Sequence, residues 1–386
     1  MKRHRLFQTF DLRHLDFLLV GLIIILNSIG IAAIGSAKHD LQSKQVYGML
    51  LGLAVMLFLS SFDYKRVIQF HWVYYAVTVL LLGLVFTPLG VNRDDATRWI
   101  NVGVTIQPSE FSKILLILFY AKFIMTYKVR MKKVMWVTAS IVLALPPVLL
   151  IYKEPDLSTT IMVCLIIAAI LFVCGLSYRI VGAILVVTIP SVILFINFVI
   201  QDGSTLLSDY QRGRILAWLH PEDYADTIAY QTMNSIMAIG SGQLMGKGYN
   251  TNEISSLLNS GYISESQTDF IFTVIGEEFG FIGSSIVVIL LLLITLRIYS
   301  IARSAKDTAG AVIAAGVGTW IGFQGFLNIG VTTGVLPNTG IPLPFVSYGL
   351  TSLVSLYIGV GFVLNVRMQN MQRTAKGEGI HFGGMT

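Results

Sequence analysis

The sequence predicts an all-α polytopic membrane protein with about ten transmembrane helices, and three observations support this fold class. Hydrophobic residues make up 54% of the 386 residues and charged residues 12%, whereas an ordinary soluble domain carries roughly 25% charged residues. The hydrophobic residues form long runs that approach the length a helix needs to cross about 30 Å of hydrocarbon. Lys and Arg residues concentrate in alternate connections between these runs. We therefore expect residues 1–386 to form a single integral membrane domain.

Ten runs are predicted to span the membrane. In chain order they cover roughly 15–35, 46–61, 72–87, 110–127, 134–151, 157–175, 180–200, 270–296, 310–335 and 347–366. The first run follows basic residues but no small-residue cleavage site, so we expect a retained helix and not a removed signal peptide. Pro108 suits the first turn of the fourth helix. The connection 201–268, between the seventh and eighth runs, is far longer than neighbouring helices require, and loops of that length are usually functional.

The orientation in the membrane follows from the basic residues. With the N-terminus in the cytoplasm, the cytoplasmic segments hold 17 of the 27 Lys and Arg residues and the outer segments hold 8, as the positive-inside rule expects. We therefore predict that both termini, residues 1–14 and 367–386, are cytoplasmic and that the 201–268 loop is extracytoplasmic.

The remaining composition gives no indication of a nucleic-acid partner, a disulfide or a structural zinc site. The net charge of +6 is explained by basic residues beside the anionic headgroups of the cytoplasmic surface. Cys164 and Cys174 lie ten residues apart on one predicted helix, about 15 Å along its axis, which is too far for a disulfide. No His and Cys cluster has the spacing of zinc ligands.

Asp269 is the strongest candidate for a catalytic group. It lies in Glu265–Phe272, where the long polar loop meets the eighth run. The bilayer penalises a carboxylate at such a place by a few kcal/mol, so a carboxylate kept there beside a water-exposed loop is a candidate reactive group. The alternative is a helix N-terminus in which Asp269 answers the helix dipole. Position alone favours neither interpretation.

Glu110 and Lys113 share one face at the start of the fourth run, because they are three residues apart on a predicted helix. One interpretation is an ion pair that neutralises itself and makes membrane insertion cheaper. The functional interpretation is that Lys113 faces an anionic ligand while Glu110 positions it.

The outer segments supply further charged candidates for substrate binding. They are Arg98, Lys153, Asp156, Arg212, Arg214 and Lys247. Asp156 could instead cap the helix that follows it. Lys247 belongs to the Gly-rich segment 240–248, which looks like a nucleotide-binding P-loop, but one residue is missing between its glycines and no Ser or Thr follows the lysine. A backbone turn is therefore favoured over a pyrophosphate cradle.

Two patterns concern the shape of this outer region. Helices are predicted around Trp218 and over residues 230–239 of the long loop. The segment 338–349 is rich in Pro and Gly, and such irregular backbone is tolerated at membrane depth only where protein buries it or it lines a water-filled cavity. We therefore expect a cavity that opens to the outside and is roofed by the long loop.

These stretches, in this order, resemble the SEDS family of shape, elongation, division and sporulation proteins over roughly residues 15–370. The matching residues are Arg98-Trp99, Gln107-Pro108-Ser109-Glu110, Lys113, Pro155-Asp156-Leu157, Tyr230-Gln231, Ala238 to Gly242, Gly246-Lys247-Gly248, Thr268 to Phe272, Gly276 to Gly280, Asn328 to Val331 and Gly340 to Gly349. Within the family, the chain resembles RodA, the elongation branch, more than FtsW, the division branch. The features that carry this resemblance are the short N-terminus, Ser241-Gly242-Gln243 and the residues of the Asp94–Lys113 stretch.

The chain departs from the family pattern at a few positions. Gln267 replaces the usual His before Thr268-Asp269, so a His-assisted mechanism is not expected. Glu154 and Ser158 stand where the family has Gln and Gly, and Leu350 and Thr351 replace Gly and Ser. None of these changes affects Asp269, Glu110 or Lys113.

The resemblance implies a peptidoglycan glycosyltransferase that polymerises lipid II, a disaccharide peptide on undecaprenyl pyrophosphate, at the outer face of the bacterial cytoplasmic membrane. It also implies a class B penicillin-binding protein as partner, within the elongation machinery. Asp269 takes the position of the family's essential aspartate, and Glu110 and Lys113 match its functional acidic and basic pair.

The predicted mechanism uses Asp269 as the base that deprotonates a sugar hydroxyl. Cations neutralise the departing pyrophosphate, with Lys113, Arg98, Arg212 and Arg214 as candidates, and Mg²⁺ or Mn²⁺ could assist. Two rival classes remain open: a transporter such as a lipid II flippase, and a non-catalytic scaffold of a cell-wall synthase. The clustering of charges on one side of the membrane weighs against alternating access, which places sites near the midplane.

Overall fold

The described part of the chain is a bundle of long antiparallel helices in a computed structural model. It comprises residues 14–93, 96–101, 103, 105–128, 134–175, 182, 186, 190, 194, 209–250, 263 and 265–374. The helices are α1 Phe17–Ala37, α2 His39–Ser60, α3 Tyr64–Val67, α4 His71–Leu84, α5 Pro108–Tyr127, α6 Val134–Lys153, α7 Leu157–Val173, α8 Asp209–Leu219, α9 Tyr230–Ser241, α10 Ile271–Arg303, α11 Thr308–Thr332 and α12 Leu350–Thr374. Short 3₁₀ turns cover Ile68–Phe70 and Pro221–Tyr224.

The all-α membrane fold predicted from the sequence is confirmed. Seven helical segments in the described residues are long and apolar enough to cross a membrane, and α5 and α7 coincide with two further predicted runs. The run 180–200 lies almost entirely outside the described residues. The predicted helices around Trp218 and over 230–239 are found as α8 and α9.

Local sequence explains where several helices begin. The side chains of Asp16, Asp156 and Asp307 cap α1, α7 and α11 by accepting from Leu19 N at 3.1 Å, Thr159 N at 3.0 Å and Gly310 N at 2.9 Å, as Asp does at helix N-termini. Pro108 opens α5, where its missing N–H costs nothing.

Of the seven candidate membrane spans in the described residues, α11 and α12 are the most buried. Helix α11 packs against α5, α7 and α10, while α12 packs against α2. Helix α10 is broken at Gly280, whose φ of 63° and ψ of −158° interrupt the helical path. The first part of α10, residues 271–279, therefore has a direction of its own.

One feature was not predicted. A small antiparallel sheet in the order β1–β2–β3 precedes α5, with strands Gly90–Arg93, Ala96–Asn101 and Thr105–Ile106. The pairing of β1 with β2 shifts its register between Val91 and Asn92. The sheet carries Arg98 towards the start of α7, as described below.

The two ends of the bundle carry different polar clusters. At one end, Asp16 Oδ2 lies 2.9 Å from Arg297 Nε and 3.8 Å from Arg367 Nε, and Lys65 Nζ lies 2.8 Å from Asp307 Oδ2. The sequence places all five residues in or beside predicted cytoplasmic segments, and the fold gathers them at one end. The side of the membrane that this end faces stays a prediction.

Candidate functional site

Asp269 lies in the turn before α10, and its main chain is held by polar side chains of the neighbouring elements. Asn328 of α11 donates from Nδ2 to the carbonyl oxygens of both Asp269 and Ile341, each at 2.7 Å. Ser347 donates from Oγ to Thr268 O at 2.6 Å, so the irregular segment after α11 and the turn before α10 are fixed to each other. The carboxylate therefore projects from an anchored backbone.

The irregular backbone predicted over 338–349 is present. It is non-helical throughout and includes positive φ angles at Gly340 (67°) and Phe345 (62°). A Cβ atom at Gly340 would lie 3.3 Å from Asp269 Oδ2 and 3.7 Å from Arg214 Nη1. Gly340 thus lies close to both the carboxylate and the guanidinium. Its lack of a side chain leaves the space between these two groups open, and its positive φ also favours glycine.

Arg214 and Arg98 bring positive charge to Asp269 while donating to backbone carbonyls. Arg214 of α8 donates from Nη1 to Asn338 O at 3.2 Å. Arg98 of β2 is buried and donates to Pro155 O at 2.8 Å and to Glu154 O at 3.4 Å. Among the described residues, no hydrogen bond to the Asp269 carboxylate oxygens is found. We call Asp269, Arg214, Arg98 and Gly340 the Asp269 site.

The environment raises the pKa of Asp269 to about 6. Burial is the main cause, and the neighbouring charge of Glu265 acts in the same direction. Arg214 and Arg98 lower the pKa, and Asp156 raises it slightly. A carboxylate with this pKa is ionised at neutral pH and is still basic enough to accept a proton in a reaction.

Lys113 and Glu110 form a buried pair behind the Asp269 site. Lys113 Nζ lies 2.7 Å from Glu110 Oε1, with the two side chains 3% and 4% exposed. It also donates to Gln324 Oε1 at 3.2 Å and lies 4.7 Å from the centre of the Trp320 ring. Gln324 in turn donates from Nε2 to Pro342 O at 2.9 Å. The pair thus supports the irregular segment instead of facing open space, and its predicted contact with substrate stays a prediction.

The other predicted binding residues are dispersed. Asp156 is buried and caps α7, accepting from Thr159 N and Oγ1 at 3.0 and 2.9 Å. Lys153 is exposed at the end of α6, and Arg212 is half-buried on α8. Lys247 forms an ion pair with Glu277 at 2.8 Å. Of the six outer candidates, Arg98, Arg214 and Asp156 influence the Asp269 charge.

Sequence reasoning missed the polar residues of α11 that organise the site. Trp320, Gln324 and Asn328 recur every four residues and therefore lie on one face of the helix. Trp320 Nε1 and Lys113 Nζ donate to the same Gln324 oxygen. The available signal was the presence of Gln and Asn inside an apolar run, since polar residues within membrane helices are costly and usually face the bundle interior.

The described residues contain no group of three or more His, Cys, Asp or Glu side chains arranged to hold a metal ion. The Gly-rich segment 240–248 ends α9 at Ser241 and then continues as a turn. The N–H groups of Lys247 and Gly248 donate to the carbonyl oxygens of Glu277 and Glu278 at 2.9 and 3.0 Å. These N–H groups are thus engaged by α10.

Comparison with known proteins gives consistent matches over nearly the full chain. The family model of the FtsW, RodA and SpoVE cell cycle proteins matches residues 8–372. A probable peptidoglycan glycosyltransferase FtsW from Geobacter metallireducens is 32% identical over 377 residues, covering 92% of this chain and 95% of that protein. The peptidoglycan glycosyltransferase MrdB from Escherichia coli K12 is 32% identical over 360 residues, covering 92% and 94%.

A solved structure supports the fold directly. A chain from the structure described as "Structural coordination of polymerization and crosslinking by a peptidoglycan synthase complex" superposes with a TM-score of 0.74 at 27% identity. The match covers 93% of this chain and 99% of that chain. Because the FtsW and MrdB relatives are equally similar, these matches do not separate the division branch from the elongation branch.

Proposed function

This chain belongs to the family of FtsW, RodA and SpoVE cell cycle proteins, and we propose that it is a peptidoglycan glycosyltransferase. Its proposed reaction joins lipid II molecules into glycan strands at the outer face of the cytoplasmic membrane. The observation that carries the proposal is the Asp269 site, because a carboxylate and the charges of two guanidinium groups act together in a member of a family that includes named glycosyltransferases.

The proposed chemistry needs a base and a way to neutralise the leaving group. Asp269 accepts the proton of the attacking sugar hydroxyl while that oxygen bonds to the anomeric carbon of the second lipid II. The bond from this carbon to the pyrophosphate breaks at the same time, and the lipid pyrophosphate leaves. Because pyrophosphate is already a good leaving group, no second carboxylate is needed as an acid, in contrast to glycosidases. Direct displacement inverts the anomeric centre, so a retained anomer would contradict this mechanism.

Arg214 and Arg98 are the cations that the geometry favours for the pyrophosphate. Both act on the Asp269 charge, and fixed cations stabilise charge that develops in the transition state. Lys113 is enclosed by Glu110, Gln324 and Trp320. We therefore assign it a positioning role behind the site, with a direct ligand contact as the alternative. Lys153, Arg212 and Lys247 lie in other surroundings and are secondary candidates.

We further propose that the chain works with a class B penicillin-binding protein within the elongation machinery. The solved complex is described as coordinating polymerization and crosslinking, and a transpeptidase partner would supply the crosslinking step. The elongation role rests on the RodA-like residues of the sequence, namely Ser241-Gly242-Gln243 and the Asp94–Lys113 stretch.

The deciding experiment is lipid II polymerisation by the purified chain with its partner, comparing wild type with Asp269→Asn. The amide keeps the shape and removes the base, so we expect a loss of rate of about 10²–10⁴-fold. Co-purification of the partner and an unchanged melting temperature serve as controls for folding. Undiminished polymer from the variant would show that Asp269 is structural.

The same assay separates the rival functions. A flippase or other transporter would make no polymer, and a scaffold would make none without a second polymerase. Polymer formed by the purified complex without ATP or an ion gradient therefore supports the enzyme over both. Wild-type protein that binds its partner but forms no polymer would overturn the proposed function.

A further inference from the structure

The break in α10 at Gly280 has its own hydrogen-bonding partner. A helix broken at membrane depth leaves backbone groups that must be satisfied within the protein. In an unbroken helix, the N–H groups of Phe281 and Ile282 would donate to the carbonyls of Glu277 and Glu278. Here those two N–H groups donate to Gln243 O at 2.8 Å and Leu244 O at 3.2 Å.

The two carbonyls of the break are satisfied by the same segment. Glu277 O accepts from Lys247 N at 2.9 Å, and Glu278 O accepts from Gly248 N at 3.0 Å. All four groups released by the break are therefore paired with residues 243–248, which we call the clasp segment. Its approach is so close that a Cβ atom at Gly246 would lie 2.1 Å from Glu278 O.

Side chains close the clasp. Lys247 Nζ lies 2.8 Å from Glu277 Oε1, with Lys247 11% exposed and Glu277 fully buried. Glu278 Oε1 accepts from Asn250 N at 3.2 Å and from the Ser36 hydroxyl of α1. A buried carboxylate left without its cation is strongly unfavourable, so Lys247 and Glu277 stabilise each other across the break.

The clasp fixes the part of α10 that follows the proposed base. Residues 271–279 begin two positions after Asp269 and end at the break. Helix α9, which leads into the clasp segment, also contacts this portion, with Ser235 Oγ 2.5 Å from Thr273 Oγ1. The direction of residues 271–279 therefore depends on the clasp. Together with the Asn328 and Ser347 contacts to the preceding turn, this direction determines where the Asp269 carboxylate lies relative to Arg214 and Gly340.

We propose that the Lys247–Glu277 ion pair is a latch that positions Asp269 for the reaction, so that Lys247 and Glu277 are positioning residues. This inference deepens the proposed function and rests on it where turnover is concerned. The geometry itself can be tested without turnover.

The first test measures the position of residue 269 directly. Asp269→Cys is made in a background with Cys164→Ala and Cys174→Ala, and the rate of thiol modification by a water-soluble maleimide is measured in the full-length protein. Adding Lys247→Met, or Gly246→Ala, opens the clasp, and we expect the modification rate to rise at least about fivefold. Gly240→Ala is the matched control, because a Cβ atom there meets nothing within 4 Å.

The second test uses turnover in the protein with Asp269 intact. We expect Lys247→Met to lower kcat about tenfold with little change in KM, because a misplaced base slows the chemical step. Lys247→Arg, which keeps the cation and therefore the ion pair, should retain most of the rate.

The outcomes separate this inference from the proposed function. An unchanged thiol rate in both clasp variants, or an equal rise in the Gly240→Ala control, would overturn the latch whether or not polymer forms. A raised KM with unchanged kcat in Lys247→Met would overturn it in favour of a substrate contact. Absence of polymer from wild type would instead overturn the proposed function, while the thiol rates would still decide the latch.

Discussion

Two buried carboxyl groups at opposite ends of the bundle show how differently this fold treats the same chemistry. Asp16 meets the guanidinium groups of Arg297 and Arg367 directly, at 2.9 and 3.8 Å, and caps α1. Glu154 is 1% exposed, and within the described part of the chain neither carboxyl oxygen has a hydrogen-bond partner. Its neighbour Arg98 donates to the backbone carbonyls of Glu154 and Pro155. Asp16 is thus paired directly with its cations, whereas the cation beside Glu154 binds carbonyl oxygens.

The difference teaches how the Asp269 site keeps a usable base. A carboxylate in direct contact with a guanidinium has a low pKa and accepts protons poorly. Because Arg214 and Arg98 bind carbonyl oxygens, they hold positive charge near Asp269 without a direct hydrogen bond to its carboxylate in the described residues. The pKa of Asp269 is therefore about 6, close to the value that suits a base at neutral pH.

Among the variants that test this comparison, Glu154→Gln should change the stability of the protein most. Burial, followed by the charge of Asp156, raises the pKa of Glu154 to about 9, and Arg98 lowers it only partly. Between pH 4.5 and 9 the folded protein therefore holds a proton that the unfolded chain releases, so the stability of wild type falls as pH rises. The variant lacks this group, and from pH 5.5 to 7.5 it should gain about 3 kcal/mol over wild type.

The measurement is the melting temperature of the two proteins in the same detergent across this pH range. The variant should already be somewhat more stable at pH 5.5, because the unfolded wild-type chain releases the proton above about pH 4.5, and its lead should widen towards pH 7.5. A gap that stays constant with pH would mean that Glu154 is already ionised in the folded protein.

Asp16→Asn should lower the stability of the folded protein, by less than Glu154→Gln raises it. The amide still caps α1 but leaves Arg297 and Arg367 without their carboxylate, and we expect a loss of about 2 kcal/mol, below the usual cost for a buried pair because both guanidiniums are partly exposed. Unfolding in detergent measures the loss, while polymerisation per folded molecule should stay at the wild-type rate. A selective loss of rate in a stable variant would show that this end takes part in function.

The sequence was sufficient for the all-α membrane fold and for the long apolar helices of the described residues, because long apolar runs are a local signal. It was also sufficient for the Glu110–Lys113 pair, since residues three apart on a helix must be neighbours. Asp269 was selected as the candidate base because a carboxylate at the membrane face is costly and therefore informative. In each case the decisive property lies within a few residues of chain.

The missed features are a local sheet with an irregular register and two sets of contacts between residues far apart in the sequence. The sheet before α5 depends on pairing between β1 and β2 with an irregular register. Strands this short, with polar residues around them, give no clear alternating pattern from which the sheet could be predicted. Lys247 pairs with Glu277, thirty residues away in the sequence. The sequence analysis listed Lys247 as a candidate for substrate binding because this pairing could not be predicted from the sequence. Gln324 and Asn328 acquire their roles only when the carbonyls of 341 and 342 are folded against them.

Arg214→Gln tests whether a cation that binds a carbonyl oxygen still lowers the pKa of Asp269. Removing the Arg214 charge should raise the pKa of Asp269, because Arg214 is the strongest influence that lowers it. The catalytic form of Asp269 is the ionised one, so kcat/KM should rise with pH around a midpoint near 6 in wild type and at a higher pH in the variant. A shift of one unit corresponds to about tenfold lower kcat/KM on the acidic side.

The opposite variant and a matched control make this shift specific. Glu265→Gln removes a neighbouring negative charge that raises the pKa of Asp269, so its midpoint should move to lower pH. Arg212→Gln removes an equal positive charge from the same helix, and Arg212 is not among the charges that shift Asp269, so its midpoint should match wild type. Equal midpoints in all four proteins would mean that the acidic limb reports a group other than Asp269. Opposite shifts for Arg214→Gln and Glu265→Gln would identify Asp269 as the titrating base, because only a group between these two charges responds to both with opposite sign.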